Sequence, residues 1–316
     1  MNQEDIVELI INSDIEADYQ SLSLSGTMIR SNKYLYPVGS GFDIGCGLGV
    51  FKTNINLDQI NIKDLFNVKS PFGIRRQKYK LYSKKIDTST EIGKILCEEK
   101  LGDIETGNHF IEIRTCEGNI YIVIHSGISE CMKMYFAQHI IKFFKEFNSE
   151  NLDADNTYAI KIPKNNEKSK SYINEVQITN QFAEDNRKYI AYKIAEKLGG
   201  KVISSFDSSH EYIKIDCDDI IHCNGTQEFK DRDGIMLALI LSGFERDNYI
   251  VEMIGEVDYI NHGTVMLKNN INGERVYSSF EEIIEMEQLR NVKPIYKLSP
   301  ICGCKKGKSG YEYCIL

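Results

Sequence analysis

Apolar positions along the chain follow two periods, and the two periods predict its elements. Over Glu130–Phe147 apolar residues recur at helical spacing, which places Met134, Ile141, Phe144 and neighbouring apolar residues on one face. Ser171–Leu198 predicts a longer helix, ended by Gly199-Gly200 as a C-cap. Phe280–Leu289 follows two serines able to cap a third helix. Phe110–Thr115 and Ile120–Ile124 flank Glu117-Gly118-Asn119 and predict a hairpin. Tyr212–Ile215, Ile235–Leu241 and Tyr249–Ile254 predict further strands. Strands come in runs and do not alternate strictly with helices, which predicts an α+β fold and not a doubly wound parallel sheet. No repeat or Pro-, Gly- or Ser-rich linker divides the chain, so residues 1–316 read as one domain. Asn165–Lys170 is expected to be a mobile loop.

Composition narrows the classes of function. With 42% hydrophobic and 27% charged residues the chain reads as an ordinary globular protein. Apolar runs such as Ile235–Leu241 fall far short of the roughly 18 residues that cross a bilayer, so no membrane role is expected. Met1 leads into the acidic start Asn2-Gln3-Glu4-Asp5 without a basic n-region, and a cytoplasmic location is expected. Nine scattered cysteines suit a reducing compartment. Cys302-Gly303-Cys304 with Cys314 lacks a nearby fourth ligand and reads as free thiols. A net charge of −8 argues against a broad cationic footprint on duplex DNA. A local groove stays open: Ile74–Lys85 mixes six Lys or Arg residues with Tyr79 and Tyr82, as a solvated surface or a nucleic-acid contact.

The densest motif is Val38-Gly39-Ser40-Gly41-Phe42-Asp43-Ile44-Gly45-Cys46-Gly47-Leu48-Gly49. Its glycines resemble the first motif of S-adenosylmethionine methyltransferases, but the flanks do not. Val50–Asn56 reads as a strand where that motif opens a helix, and Pro37 interrupts the approach. The histidines offer another chemistry. Several of His109, His125, His210, His222 and His262 stand at the end of an apolar strand or beside a glycine, whereas His139 lies within a helix and reads as a packed residue. Asp43 and Cys46 add a carboxylate and a thiol on one glycine-bracketed loop, a donor set suited to manganese, iron or zinc more than to calcium. Local spacing gives no zinc-finger or HExxH signature.

Taken in order, the motifs resemble those of the RtcB-type RNA-splicing ligase family, in a short, divergent form. Val38–Gly47 is similar to the family's VGxDIxCG loop, and Ser70-Pro71-Phe72-Gly73 to its PxG turn. Thr106-Gly107-Asn108-His109-Phe110-Ile111-Glu112 resembles GNHFIE, and Ile124-His125-Ser126-Gly127 the start of HSGSRG. Phe182–Arg187 is similar to the AxxNR helix, and Ser209-His210 falls at the HN motif. His222 with Gly225-Thr226 resembles HRKGAT, Asn261-His262-Gly263 falls at HGAGR, and Lys306-Gly307 resembles the terminal KG.

The resemblance implies a single RtcB-like domain with mixed or antiparallel sheets, flanking helices and a central metal cleft. It implies a GTP- and manganese-dependent ligase, active in tRNA splicing or RNA repair. Such an enzyme joins 2′,3′-cyclic phosphate or 3′-phosphate RNA ends to 5′-hydroxyl ends through a histidine–GMP intermediate. Cys46 would bridge two Mn²⁺ ions, with Asp43 and His109 completing one site and His125 and His210 the other. His262 would carry GMP, while Asn108 and Lys306 would contact the nucleotide. The expected partners are RNA with broken ends and GTP, with an accessory protein left open.

The sequence also departs from the family. Thr264-Val265-Met266 replaces Ala-Gly-Arg, Cys223-Asn224 replaces two cations, Ser129 stands in place of the arginine of HSGSRG, and Glu211 replaces the asparagine of HN. The PDxHxG segment before the first loop is absent, with Leu22–Asn32 in its place. Two alternatives therefore stand beside the ligase. One is a metal-dependent nucleotidyl- or phosphoryl-transfer variant, and the other a non-catalytic protein that binds RNA ends.

Overall fold

The fold is organised around the hairpin Phe110–Cys116 and Asn119–Ser126. The computed structural model describes residues 6–11, 26–83, 86–147, 160–256, 259–261, 263–264, 279–286 and 289–315. Strand alternation sorts the second arm of the hairpin. Ile120, Ile122 and Ile124 face a core shared with Ile190, Ala191, Ile194 and Ala195 of the helix Glu167–Lys197. Tyr121 and Val123 face the other way, into a core with Leu48, Val50, Leu237 and Leu239.

That second core exists because the sheet curls. Its ten strands include, in spatial order, Val202–Ser209, Gly47–Asn56, Asn119–Ser126, Phe110–Cys116, Val292–Gly307, Asn248–Met253, Ile235–Ser242 and Lys230–Arg232. Neighbours along this path are antiparallel. Gly263–Thr264 adds parallel to Ile235–Ser242, and Gly310–Ile315 pairs with Val292–Gly307. Ser208 Oγ of one edge strand donates to the Glu228 carbonyl, just before the other edge strand, which brings the two ends of the sheet together into a near-barrel. An antiparallel four-stranded sheet, Ile6–Ile11, Thr27–Ser31, Asp219–Asn224 and Glu211–Asp216, lies beside it. The helices Glu91–Glu98, Glu130–Phe147 and Glu167–Lys197 share a third core with Leu35, Val38 and Ile44. The mixed, largely antiparallel architecture is the one expected, and a strand, Gly47–Asn56, follows the glycine loop where a methyltransferase would have a helix.

Two expectations are corrected. In the helix Glu130–Phe147 the buried residues are Met132, Tyr135, Phe136, Ile140 and Phe143, while Met134 and Ile141 are 62% and 54% exposed. This helix carries apolar residues on more than one face, and the flanking helices decide which face is covered. Asn165–Lys170 is not a loop throughout. Glu167–Lys170 form the first turn of the long helix, and the Asn166 side chain caps it by accepting from the Lys168 N–H. Its polar residues serve a helix terminus. In the basic stretch, Tyr79–Tyr82 form one helical turn with Tyr79 buried and its hydroxyl donating to Asp185; Lys84 and Lys85 lie outside the described residues. No helix among the described residues is long and apolar enough to cross a membrane.

Candidate metal centre

Strand register converges the candidate ligands. Gly47 pairs with Ser209 on one side and with Ser126 on the other, while Leu48 and Phe110 both pair with His125. Cys46, just before Gly47, therefore lies against His210, just after Ser209. Its carbonyl accepts the His210 N–H at 2.8 Å. Gly47 must be glycine for this approach, because a Cβ there would lie 2.6 Å from the Ser209 Cα. His109 immediately precedes the strand that begins at Phe110 and so reaches the same end of the sheet.

Two donor groups result, Cys46 with His125 and His210, and Asp43 with Cys46 and His109, the donor atoms in each lying within 4.8 Å of one another. Cys46 Sγ is 3.1 Å from His125 Nε2 and 3.5 Å from His109 Nε2. His125 Nε2 is 3.2 Å from His210 Nε2, and Asp43 Oδ2 is 2.9 Å from His109 Nε2. Donors bound about 2.0–2.3 Å from one ion lie roughly 3–3.6 Å apart, so these spacings fit metal coordination. The tautomer fits as well. His125 Nδ1 faces the Asn108 carbonyl at 3.1 Å, and a carbonyl only accepts. Nδ1 therefore carries the proton, and Nε2 turns its lone pair into the cluster, as an outer hydrogen bond does for a metal-binding histidine.

The surroundings hold the donors in place. Asp43 Oδ1 accepts the Ile128 N–H at 3.0 Å, and its Oδ2 also meets Lys133 Nζ at 2.9 Å. Burial acts to raise the Asp43 pKa, but His109, Lys133 and the Ile128 N–H outweigh it and hold the carboxyl at about 2. Burial, with the Asp43 and Glu211 carboxylates, pushes the Cys46 thiol well above its ordinary range. A bound cation reverses that preference, since a coordinated thiol loses its proton. Glu211 Oε2 accepts the Asp43 N–H at 2.8 Å, and burial beside Asp43 raises its pKa to about 7.

Arg187 ties the ligand-bearing segments together. It is fully buried, forms two hydrogen bonds to Asp207 at 2.7 and 2.8 Å, and donates to the carbonyls of Gly45 and Ser126 and to Ser209 Oγ. Those partners adjoin Cys46, His125 and His210. Asn186, its neighbour in sequence, accepts from the Gly102 N–H and donates to the Asp103 carbonyl. The motif reading singled out this helix but gave no role to Arg187, and gave none to Lys133 or Asp207. Spacing signals none of those contacts, which come from elements far apart in sequence.

The other candidates fall elsewhere. The Asn108 side chain is exposed. Lys306 lies beside Thr106 but is engaged by Asp103 at 3.1 Å. His222 is buried outside the cluster, and His139 packs against Tyr135 and Phe143. Cys302 and Cys304 are buried free thiols in the core. His262 lies outside the described residues.

Fold and site together define an α+β protein with a thiol-centred donor cluster of the kind that takes transition-metal ions. The sequence model of the family described as "tRNA-splicing ligase RtcB" matches residues 77–231. A curated "tRNA-splicing ligase RtcB" from Aeropyrum pernix is 21% identical over 256 residues, covering 59% of this chain and 53% of that protein. Over these residues the chain is similar to RtcB-type ligases. It spans about half the length of the curated relative it matches.

Proposed function

We propose that this chain is a metal-dependent RNA ligase that joins 2′,3′-cyclic phosphate or 3′-phosphate ends to 5′-hydroxyl ends, with GTP as the energy source. The observation that carries the reading is the position of Cys46 Sγ, shared by both donor groups. Asp43, Cys46 and His109 would hold one manganese ion, and Cys46, His125 and His210 the other. Bound there, the ions would act as Lewis acids on phosphoryl oxygens. The chain supplies the rest. The Asn108 carbonyl fixes the His125 tautomer, and Arg187 keeps the ligand segments in register. His262 is the proposed nucleophile. Its ring nitrogen would bond to the α-phosphorus of GTP as the bond to pyrophosphate breaks, with the ring proton passing to solvent. Asn108 and Lys306 are the proposed contacts to the nucleotide.

A second reading, metal-dependent phosphoryl transfer without GTP, draws on Glu211, a half-buried residue whose carboxyl accepts the Asp43 N–H where the family motif has asparagine. One experiment separates them. The protein is incubated with manganese and α-labelled GTP and run on a denaturing gel, alongside an RNA carrying a 2′,3′-cyclic phosphate. Label on the wild type, absent from His262→Ala, supports the ligase. Cyclic-phosphate turnover without label supports the second reading.

A further inference from the structure

The family's phosphate-binding cations are largely missing from the motifs, but the fold brings other cations to the cluster. Among the described residues, Arg187 and Lys133 both act on the Cys46 thiol. Arg187 is fully buried and its donors are spent on Asp207, Gly45, Ser126 and Ser209. Lys133 differs. It projects from the first turn of the helix Glu130–Phe147, which begins only a short step after His125. Its side chain is 22% exposed, its ammonium is 2.9 Å from Asp43 Oδ2 and 3.9 Å from Glu130, and its charge also reaches the Glu211 and Glu105 carboxyls. Lys133 therefore stands at the solvent edge of the donor cluster.

We propose that Lys133 binds the terminal phosphate of the RNA end at this centre, in the role of a cation lost from the motifs. The inference rests on the RNA-ligase reading. Asp43 Oδ2 is the oxygen that a metal ion would share with His109, and an ion there repels the ammonium from the same oxygen. Lys133 then needs another anion within reach of its flexible stem, and a phosphate drawn to the ion supplies one. The sequence offered no hint of this. Lys133 lies one helical turn beyond Ser129, which stands in the lost arginine's place, and only the fold aims it at Asp43.

The test compares binding of two labelled RNA hexamers, one ending in a 3′-phosphate and one in a 3′-hydroxyl, to manganese-loaded wild type, Lys133→Met and Lys133→Arg. Manganese affinity of each protein is measured separately. Wild type is expected to prefer the 3′-phosphate RNA, and Lys133→Met to lose about one to two decades of that preference while keeping its manganese. Lys133→Arg is expected to restore most of it. Loss of manganese by Lys133→Met would make Lys133 only a support for Asp43, and an unchanged preference would contradict the phosphate role alone. A wild type that holds manganese but binds neither RNA contradicts the RNA reading and this inference with it.

Discussion

Arg187 Nη1 donates to the Gly45 carbonyl at 2.8 Å, immediately before the Cys46 thiol at the centre of the cluster. The guanidinium is thus a fixed point from which the ligand geometry is built. Its charge is balanced by Asp207, whose side chain is only 7% exposed.

Replacing Arg187 alone strands that carboxylate. Arg187→Met is expected to cost about 3–5 kcal/mol in urea unfolding, the usual penalty for an unpaired buried charge. In Arg187→Met/Asp207→Leu no charge is stranded, and much of the stability should return. Manganese affinity should stay reduced, because the side-chain hydrogen bonds from Arg187 to Gly45, Ser126 and Ser209 are then lost. Full recovery of metal binding in the double variant would mean that the arginine serves stability only.

Cys46 belongs to both donor groups and His210 to one. Cys46→Ser should therefore weaken both phases of a manganese titration, and His210→Ala mainly one, since a serine hydroxyl is a poor anionic bridge at neutral pH. Equal, mild losses in the two variants would reduce Cys46 to a buried core thiol.

Gly127 lies against Asp43, and a Cβ there would collide with the Asp43 carboxylate. Gly127→Ala should push the ligand out of place and lower metal affinity by about ten- to a hundredfold, the scale of outer-shell damage at metal sites. Calorimetric titration checks this, and unchanged affinity would show that Asp43 is not a ligand.

The five residues that the structure brings together were candidates in the sequence because each sits in a short motif: a carboxylate and a thiol on one glycine-bracketed loop, or a histidine in a motif that resembles the family's. The hairpin and the helix Glu130–Phe147 were legible from period alone. The buried face of that helix was not, since Met132, Met134, Ile140 and Ile141 look alike until neighbours cover some of them. The start of the long helix was hidden because Asn166 and the polar first turn read like a loop. Arg187 and Lys133 were silent because their contacts cross between elements that only the fold brings together.

His222 gives the pH dependence a sign. Its Nε2 accepts the Tyr36 N–H at 3.0 Å, and its Nδ1 donates to the Ile29 carbonyl at 3.2 Å. Burial pulls its pKa from 6.5 down to about 4. The unfolded chain therefore takes up this proton near pH 6.5, and the folded chain only near pH 4. The stability it contributes is present above pH 6.5 and lost as pH falls to 4, by about 3 kcal/mol in all. Urea unfolding of wild type and His222→Gln at about pH 7 and about pH 4.5 should show the gap between them closing by roughly 2–3 kcal/mol. A constant gap would contradict a neutral buried imidazole.

An anomalous-difference map from crystals grown with manganese decides whether two ions share Cys46. Two peaks are expected, each roughly 2–2.5 Å from Cys46 Sγ. One should also contact Asp43 and His109, the other His125 and His210. A folded, manganese-soaked protein with no anomalous peak at Cys46 would contradict a shared site.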